Sequence, residues 1–316
     1  MTYTRRDFGK LTLAAAAPLA LVRAAAPIDS KFHGVQIGAI TYSFNSIANP
    51  DPEAIIRAYV EIGLGEAELM SNHCEALAGA PRAARGGGRG ATLTPEQQAA
   101  RQAQQEQIRA WRAGTNTATW KGVRKKFNDA GIQVAVLCYN MNDNMKDDDI
   151  EYGFSMAEGL GVHAISTSTT LSMAKRIAPI ADRHKLLVGY HGHDATNDPN
   201  QTATLESYDT LMAYGKYSGV NLDIGHFTAA NYDAVSFIKA HHAKITNLHV
   251  KDMKRDHGAY TPFGQGDTPM KGVLQLLKKE KYGFPANIEL EYPIPPDSNL
   301  IAEMKKCLAY CKDCLA

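Results

Sequence analysis

From residue 34 onward, short apolar runs of strand type alternate with longer amphipathic runs of helix type. The strand candidates are 34–44, 66–70, 132–138, 163–168, 187–193, 220–225, 245–251 and 287–292. Between and after them lie helix candidates at 52–62, 119–130, 149–160, 171–184, 206–217, 231–242, 269–281 and 298–314. Start signals such as Asn49-Pro50-Asp51-Pro52 and Asp267-Thr268-Pro269 precede helices, and Gly63, Gly131, Gly161 and Gly283 close them. Strict alternation of this kind makes a parallel sheet, because a parallel neighbour needs a crossover that a helix supplies. Eight units in roughly 280 residues predict an α/β fold, a single closed (β/α)₈ TIM barrel. No Gly-x-Gly-x-x-Gly follows the first strand, which argues against an open dinucleotide-binding sheet.

Two segments break the rhythm. Residues 76–115 hold a Gly/Arg-rich stretch, about 80–91, and then a polar Gln/Ala/Arg-rich run predicted to be helical from Thr94 to Trp111. This insertion follows the second strand, on the barrel face where loops carry function. The other segment is the N-terminus. Thr4-Arg5-Arg6-Asp7-Phe8-Gly9-Lys10 precedes an apolar stretch, Leu11 to Val22, and then Ala24-Ala25-Ala26. A charged start, a short apolar core and small residues describe an export leader, and the paired arginines resemble the twin-arginine type. Residues 1–26 are therefore expected to be a leader, with the barrel spanning 33–316. The mature protein is expected in the periplasm or outside the cell with no membrane anchor, since the apolar stretch is short for a bilayer span.

Composition removes some partners. The 316 residues carry a net charge of +1, so neither nucleic acid nor an anionic membrane surface is indicated. Five cysteines, an odd number, do not make a full disulfide framework. Cys307, Cys311 and Cys314 fall at helical spacing with Met304, Leu308 and Leu315, which reads as the buried stripe of the last helix rather than a metal cluster.

Four strands in the second half end on residues that bind metals. They read VGYHGH (188–193), NLDIGH (221–226), NLHVKD (247–252) and IELEY (288–292). Side chains two apart on a strand share a face, which pairs His191 with His193, His249 with Lys251, and Glu289 with Glu291. One imidazole or carboxylate from each strand would make a four-donor N/O site suited to Mn²⁺, Co²⁺ or Zn²⁺, and less to Mg²⁺. In a (β/α)₈ barrel these strand ends converge on one mouth, where Glu68 from the second strand is also expected.

Several motifs resemble the xylose-isomerase-like barrels, a group of sugar isomerases and epimerases, inositol catabolic enzymes and endonuclease IV-type proteins. They are Gly63-Leu64-Gly65-Glu66-Ala67-Glu68-Leu69, Asn221-Leu222-Asp223-Ile224-Gly225-His226, His249-Val250-Lys251-Asp252, Phe263-Gly264-Gln265-Gly266-Asp267 and Ile288-Glu289-Leu290-Glu291-Tyr292. The resemblance spans roughly residues 33–314. It implies metal ligands at Asp223, His249 and Glu291, with Glu291 preferred over Glu289 by its offset from Gly283. The fourth ligand position falls on His191, where ketose epimerases of the family have a glutamate. The implied cofactor is one divalent ion, Mn²⁺ first, then Co²⁺, Zn²⁺ or Mg²⁺.

In those epimerases two glutamates also move the proton beside a carbonyl. With His191 in place of one of them, that scheme does not carry over whole. Glu291 keeps its place as a catalytic group, and Glu68 and His226 are the other candidates. Lys251, His193 and His226 are expected to hold substrate. The expected activity is isomerisation or epimerisation of an unphosphorylated sugar through an enediolate. A 3-keto-glycoside lyase or hydratase, which eliminates the aglycone from the same site, is the alternative. An endonuclease IV-like hydrolase and a non-catalytic sugar-binding protein are remoter readings. The expected partner is a small sugar or glycoside, and self-association is left open.

Overall fold

A computed structural model describes residues 25–48, 51–81 and 94–316. Its strands are β1 (Lys31–Phe32), β2 (Val35–Ile40), β3 (Glu66–Met70), β4 (Gln133–Cys138), β5 (Ala164–Ser168) and β6 (Leu187–His191). There follow β7 (Ser218–Asp223), β8 (Ile245–Val250), β9 (Asp252–Met253), β10 (Tyr260–Thr261) and β11 (Ala286–Ile288). Parallel pairing runs in the order β2-β11-β8-β7-β6-β5-β4-β3, and a β2–β3 pairing closes the ring. The result is the expected eight-stranded α/β barrel. Strand β1 adds an antiparallel flank to β2, and β9 and β10 form a small antiparallel pair at the mouth.

The helices form where the periodicity places them, with shifts set by local chemistry. Residues Leu171–His184 are helical as expected, opened by the Thr170 hydroxyl on the Met173 N–H. Gly63 and Gly161 terminate helices in the left-handed region, at φ 89° and 64°. The 206–217 candidate stops at Ala213, and the 231–242 candidate begins at Ala234 behind the Asp233 cap. Four strand candidates shorten because the chain turns once it leaves the ladder. The first ends at Ile40 before a 3₁₀ turn, Thr41–Phe44, and 187–193 ends at His191. The sixth ends at Asp223, which caps the unforeseen helix Ile224–Ala229, and the eighth stops at Ile288. A second unforeseen helix, Ser71–Leu77, follows β3.

The insertion holds a long helix, Pro95–Ala113, opened by a reciprocal Thr94–Gln97 capping box. None of its residues is fully buried. Its last turn docks through Arg112, whose Nε lies 2.8 Å from Glu75 Oε1 while Tyr152 donates to the same carboxylate. Most of the Gly/Arg stretch lies outside the described residues. So does the expected leader up to Ala24, with its paired arginines. At the opposite end of the barrel, Ala25 and Ile28 donate backbone hydrogen bonds to Asp129 and Gly131. Cys307, Cys311 and Cys314 are buried on the inner face of the last helix, and all five cysteines are free. No described helix is long and apolar enough to cross a membrane.

The bore of the barrel is unusually polar at its mouth end. Glu68, Asn221, Asn247 and Asn287 are each fully buried there. Buried polar groups persist only when hydrogen-bonded. Here one carboxylate collects them: Glu68 accepts from Ser166 Oγ, from Asn221 Nδ2 at 3.3 Å, from Asn247 Nδ2 at 2.7 Å and from Asn287 Nδ2 at 3.1 Å.

Candidate metal centre

Above Glu68, four consecutive positions of the barrel order meet. His191 ends β6, Asp223 ends β7, His249 lies on β8, and Glu289 directly follows β11. One donor atom from each comes within 4.8 Å of the others, and all four residues are buried. His191 Nδ1, Asp223 Oδ2, His249 Nδ1 and Glu289 Oε2 are buried and have no protein hydrogen-bond partner. Two imidazoles and two carboxylates buried this close together are held by charge pairing, with the Lys251 ammonium beside the carboxylates, and the convergence of their donor atoms is the geometry a divalent cation takes. The donor set fits a divalent ion of the Mn²⁺, Co²⁺ or Zn²⁺ type.

The surroundings prepare each donor. Asp223 Oδ1 accepts from the Gly225 and His226 N–H groups at 2.8 and 2.9 Å, which leaves Oδ2 for the centre. His249 Nε2 lies 2.8 Å from Glu68 Oε2, so the Nδ1 side is presented inward, 3.0 Å from Glu289 Oε2. This is the carboxylate–imidazole arrangement that orients metal-binding histidines. Burial, then the neighbouring His193 and His249, hold His191 well below the ordinary histidine range, so it stays a neutral donor. Burial acts in the same direction on His249, but Glu68 and Glu289 outweigh it and raise the imidazole well above that range, so His249 must give up a proton before its Nδ1 can bind an ion.

Lys251 completes the electrostatics. Its Nζ is 3.0 Å from Asp223 Oδ2 and 2.9 Å from Glu289 Oε2, ion-pair distances without hydrogen-bond alignment to either oxygen. Its aligned hydrogen bond goes to Glu291. Burial favours neutral Lys251, yet Asp223, Glu289 and Glu291 together keep it charged.

Two expected roles change. Glu291 was expected as a ligand, but Glu289 stands in the four-donor cluster and Glu291 faces Lys251 at the rim, its side chain 19% exposed. Alternation puts both on one face, and the end of β11 at Ile288 decides which one reaches inward. Glu68 was expected in the mouth as a base. It is fully buried below the centre with its oxygens occupied, so it cannot reach a substrate from there. The structure gathers the remaining candidates. His193 packs edge-on against His191, with ring centroids 4.7 Å apart, and stands 5.1 Å from His226. Burial lowers His193 to about 4. Nitrogens of His191, His193 and His226 also come within 4.8 Å of one another.

These groups line a cavity of about 360 Å³. Its other wall is built from β2 to β5 and the turns after them: Tyr42, Met70, Cys138, Asn140, Ser166 and Ser168. Tyr260, from β10, leans over the rim with its ring 5.3 Å from Lys251 Nζ. Sequence reasoning missed Asn140, Ser168, Tyr42, Tyr260 and Asp194. Of these, only Asp194 had a visible signal, an acidic residue directly after His191-Gly192-His193.

The fold and the donor set together define a (β/α)₈ barrel with a buried two-histidine, two-carboxylate centre at its mouth. Residues 168–311 match the family described as a xylose isomerase-like TIM barrel. The inosose dehydratase of Lactiplantibacillus plantarum is 29% identical over 122 residues, which are 33% of this chain and 39% of that protein. The chain thus spans about two-fifths of the length of this curated relative. Among solved structures, the 3-keto-D-glucoside 4-epimerase of E. coli superposes with a TM-score of 0.57 at 12% identity, covering 88% of this chain and 99% of that one. A zinc-bound protein called IOLI does so with a TM-score of 0.59 at 13% identity, covering 89% and 98%. At such identities these two structures speak for the fold alone.

Proposed function

We propose that this chain is a divalent-metal-dependent isomerase or epimerase that takes the proton beside a carbonyl of an unphosphorylated sugar. The observation that carries the reading is the four-donor cluster of His191, Asp223, His249 and Glu289, buried and converging within 4.8 Å at the base of the cavity. A divalent ion held there would polarise a substrate carbonyl and make the adjacent C–H more acidic. The chain's own groups then divide the work. His193 and His226 flank the centre on the β6–β7 side, and Glu291 with Lys251 flanks it on the β8–β11 side. Proton-handling groups on two sides suit removal of a proton on one face and its return elsewhere. Lys251 is placed to steady negative charge on an enediolate oxygen. Asn140 and Ser168, on the opposite wall, are placed to bind hydroxyl groups. Among the described lining residues Lys251 is the one lysine or arginine, too little positive charge to cradle a phosphate dianion, which supports a substrate without phosphate.

A second reading is β-elimination from a 3-keto-glycoside or a cyclic polyol ketone. It is favoured by the donor set, which holds a single glutamate because His191 occupies the remaining position. Elimination needs one base and a polarised carbonyl. The partial likeness to an inosose dehydratase points the same way.

The deciding experiment is proton NMR in D₂O of the protein loaded with Mn²⁺, Co²⁺ or Zn²⁺, with free ketohexoses and with 3-keto-glucosides. Loss of the α-proton signal with a new sugar and no released aglycone supports the first reading. Aglycone release supports the second. No proton loss from either set, with metal bound, overturns both. Export through the twin-arginine route belongs to the same proposal, and is tested by the mass of the mature chain recovered from the periplasm.

A further inference from the structure

Asp194 stands behind the cavity wall, and its described hydrogen bonds and ion pairs go to histidines outside the four-donor cluster. Its Oδ1 is 2.9 Å from His226 Nδ1, and its Oδ2 is 3.0 Å from His257 Nδ1. His226 lines the cavity, whereas His257 is half exposed on the outside. With Nδ1 occupied, Nε2 is the nitrogen His226 has left for the cavity.

The bridge is built rather than incidental. Three separate elements converge on this one carboxylate: the turn after β6, the helix after β7 and the turn between β9 and β10. The last is held in place by several contacts. Asp256 and His257 both take left-handed backbone, each at φ 57°. Such residues persist only where their surroundings hold them. The His257 N–H donates to Ala229 O at 2.9 Å, at the end of the helix that carries His226, and Asn231 donates to Asp256. The hydrogen bond from His226, ahead of that from His257, keeps the Asp194 carboxyl well below the usual range although burial opposes it. A carboxylate accepts only, so both imidazoles must carry their proton on Nδ1.

We propose that Asp194 is a positioning residue, whose carboxylate fixes the tautomer and orientation of His226 so that an unprotonated Nε2 faces the cavity. A histidine held this way by a third group is prepared to accept a hydrogen bond or a proton from substrate, and the wrong tautomer cannot. His257 acts as the outer brace: it takes the second oxygen and stops Asp194 from turning away. Its catalytic consequence rests on the proton-transfer reading above, but the tautomer does not.

The test uses full-length metal-loaded protein labelled at histidine nitrogens. In the wild type, long-range ¹H–¹⁵N spectra should show His226 protonated at Nδ1. Asp194→Asn offers one acceptor to two imidazoles, so one of them must change tautomer. Asp194→Ala removes both acceptors. In Asp194→Ala the His226 signals should shift toward Nε2–H, and in Asp194→Asn either His226 or His257 should, with bound metal per chain and melting temperature nearly unchanged. On a turned-over substrate kcat should fall by about 10²-fold or more with a smaller change in KM, in line with loss of a base-orienting carboxylate. His257→Ala should fall by a lesser factor. An unchanged His226 tautomer in both Asp194 variants overturns the proposal, as does a tautomer shift that leaves kcat intact. If the tautomer shifts as expected but the wild type acts on no carbonyl sugar, the functional reading fails and the structural role of Asp194 stands.

Discussion

The two halves of the barrel mouth are built for different tasks. The half formed by β6, β7, β8 and β11 carries His191, Asp223, His249 and Glu289, with Lys251 and Glu291 beside them. The half formed by β2 to β5 presents Tyr42, Met70, Cys138, Asn140, Ser166 and Ser168, with neither a carboxylate nor an imidazole facing the cavity. Charge gathered on one side fixes where a cation would sit. The neutral wall opposite leaves room for the substrate to lie across the bore. The division is not complete, since Glu68 comes from β3 yet secures His249 on β8 from below.

The harshest challenge to this division is Asp223→Ala. It removes one donor of the cluster and the cap of the helix that carries His226, so if the cluster holds the ion, bound metal should be lost almost entirely and activity with it, read by metal analysis of the purified chain. The same loss is expected of His249→Ala. Glu68→Gln sharpens the picture by striking the centre from the other half: metal affinity should weaken by roughly 10–100-fold, measured by competition with a chelator. An affinity within twofold of the wild type would show that Glu68 only fills the bore.

Next in size is a pH effect that sits in the neutral half. Burial lowers His73 from an ordinary 6.5 to about 4, with its Nδ1 3.0 Å from Thr41 Oγ1. Between those values the unfolded chain binds a proton that the folded chain does not, so stability falls as pH drops from 6.5 toward 4 and is flat above. By pH 5 the loss should reach roughly 2 kcal/mol in urea unfolding, and His73→Leu should remove most of that slope. The smallest effect belongs to Asn140→Ala. Its side chain accepts from the Ser168 N–H at 2.8 Å and faces the cavity. Losing one such contact, about 1 kcal/mol, should raise KM by roughly fivefold while metal affinity stays put. A change in metal binding would break the division between the halves.

Much of this plan was legible in the residues. Alternating strand and helix patterns are a local property, and so are the stop signals at Gly63 and Gly161, which is why the barrel and most helix positions could be read in advance. Strand ends in a closed barrel share one mouth, which brought His191, Asp223 and His249 together in advance, and the resemblance to the xylose-isomerase-like barrels is what implied ligand roles for them. The helices Ser71–Leu77 and Ile224–Ala229 could not. Both are short and follow strands directly, so their signal merges with the strand's own apolar run. Tyr260 and His257 reach the site through a turn whose course depends on Asp252, buried and accepting from the Gly264, Gly266 and Thr268 N–H groups.

The order of residues along the chain was enough to predict the barrel, the end of it where the candidate site lies, and an N/O donor set drawn from its second half. These follow from periodicities of two and 3.6 residues, which neighbours in the chain establish. Only the tertiary structure placed Glu289 within the cluster and Glu291 against Lys251 at the rim, and set Glu68 beneath the cavity instead of in it. Both choices turn on depth along the barrel axis. Alternation tells which face a side chain takes, but depth depends on the register of eight strands closing on one another.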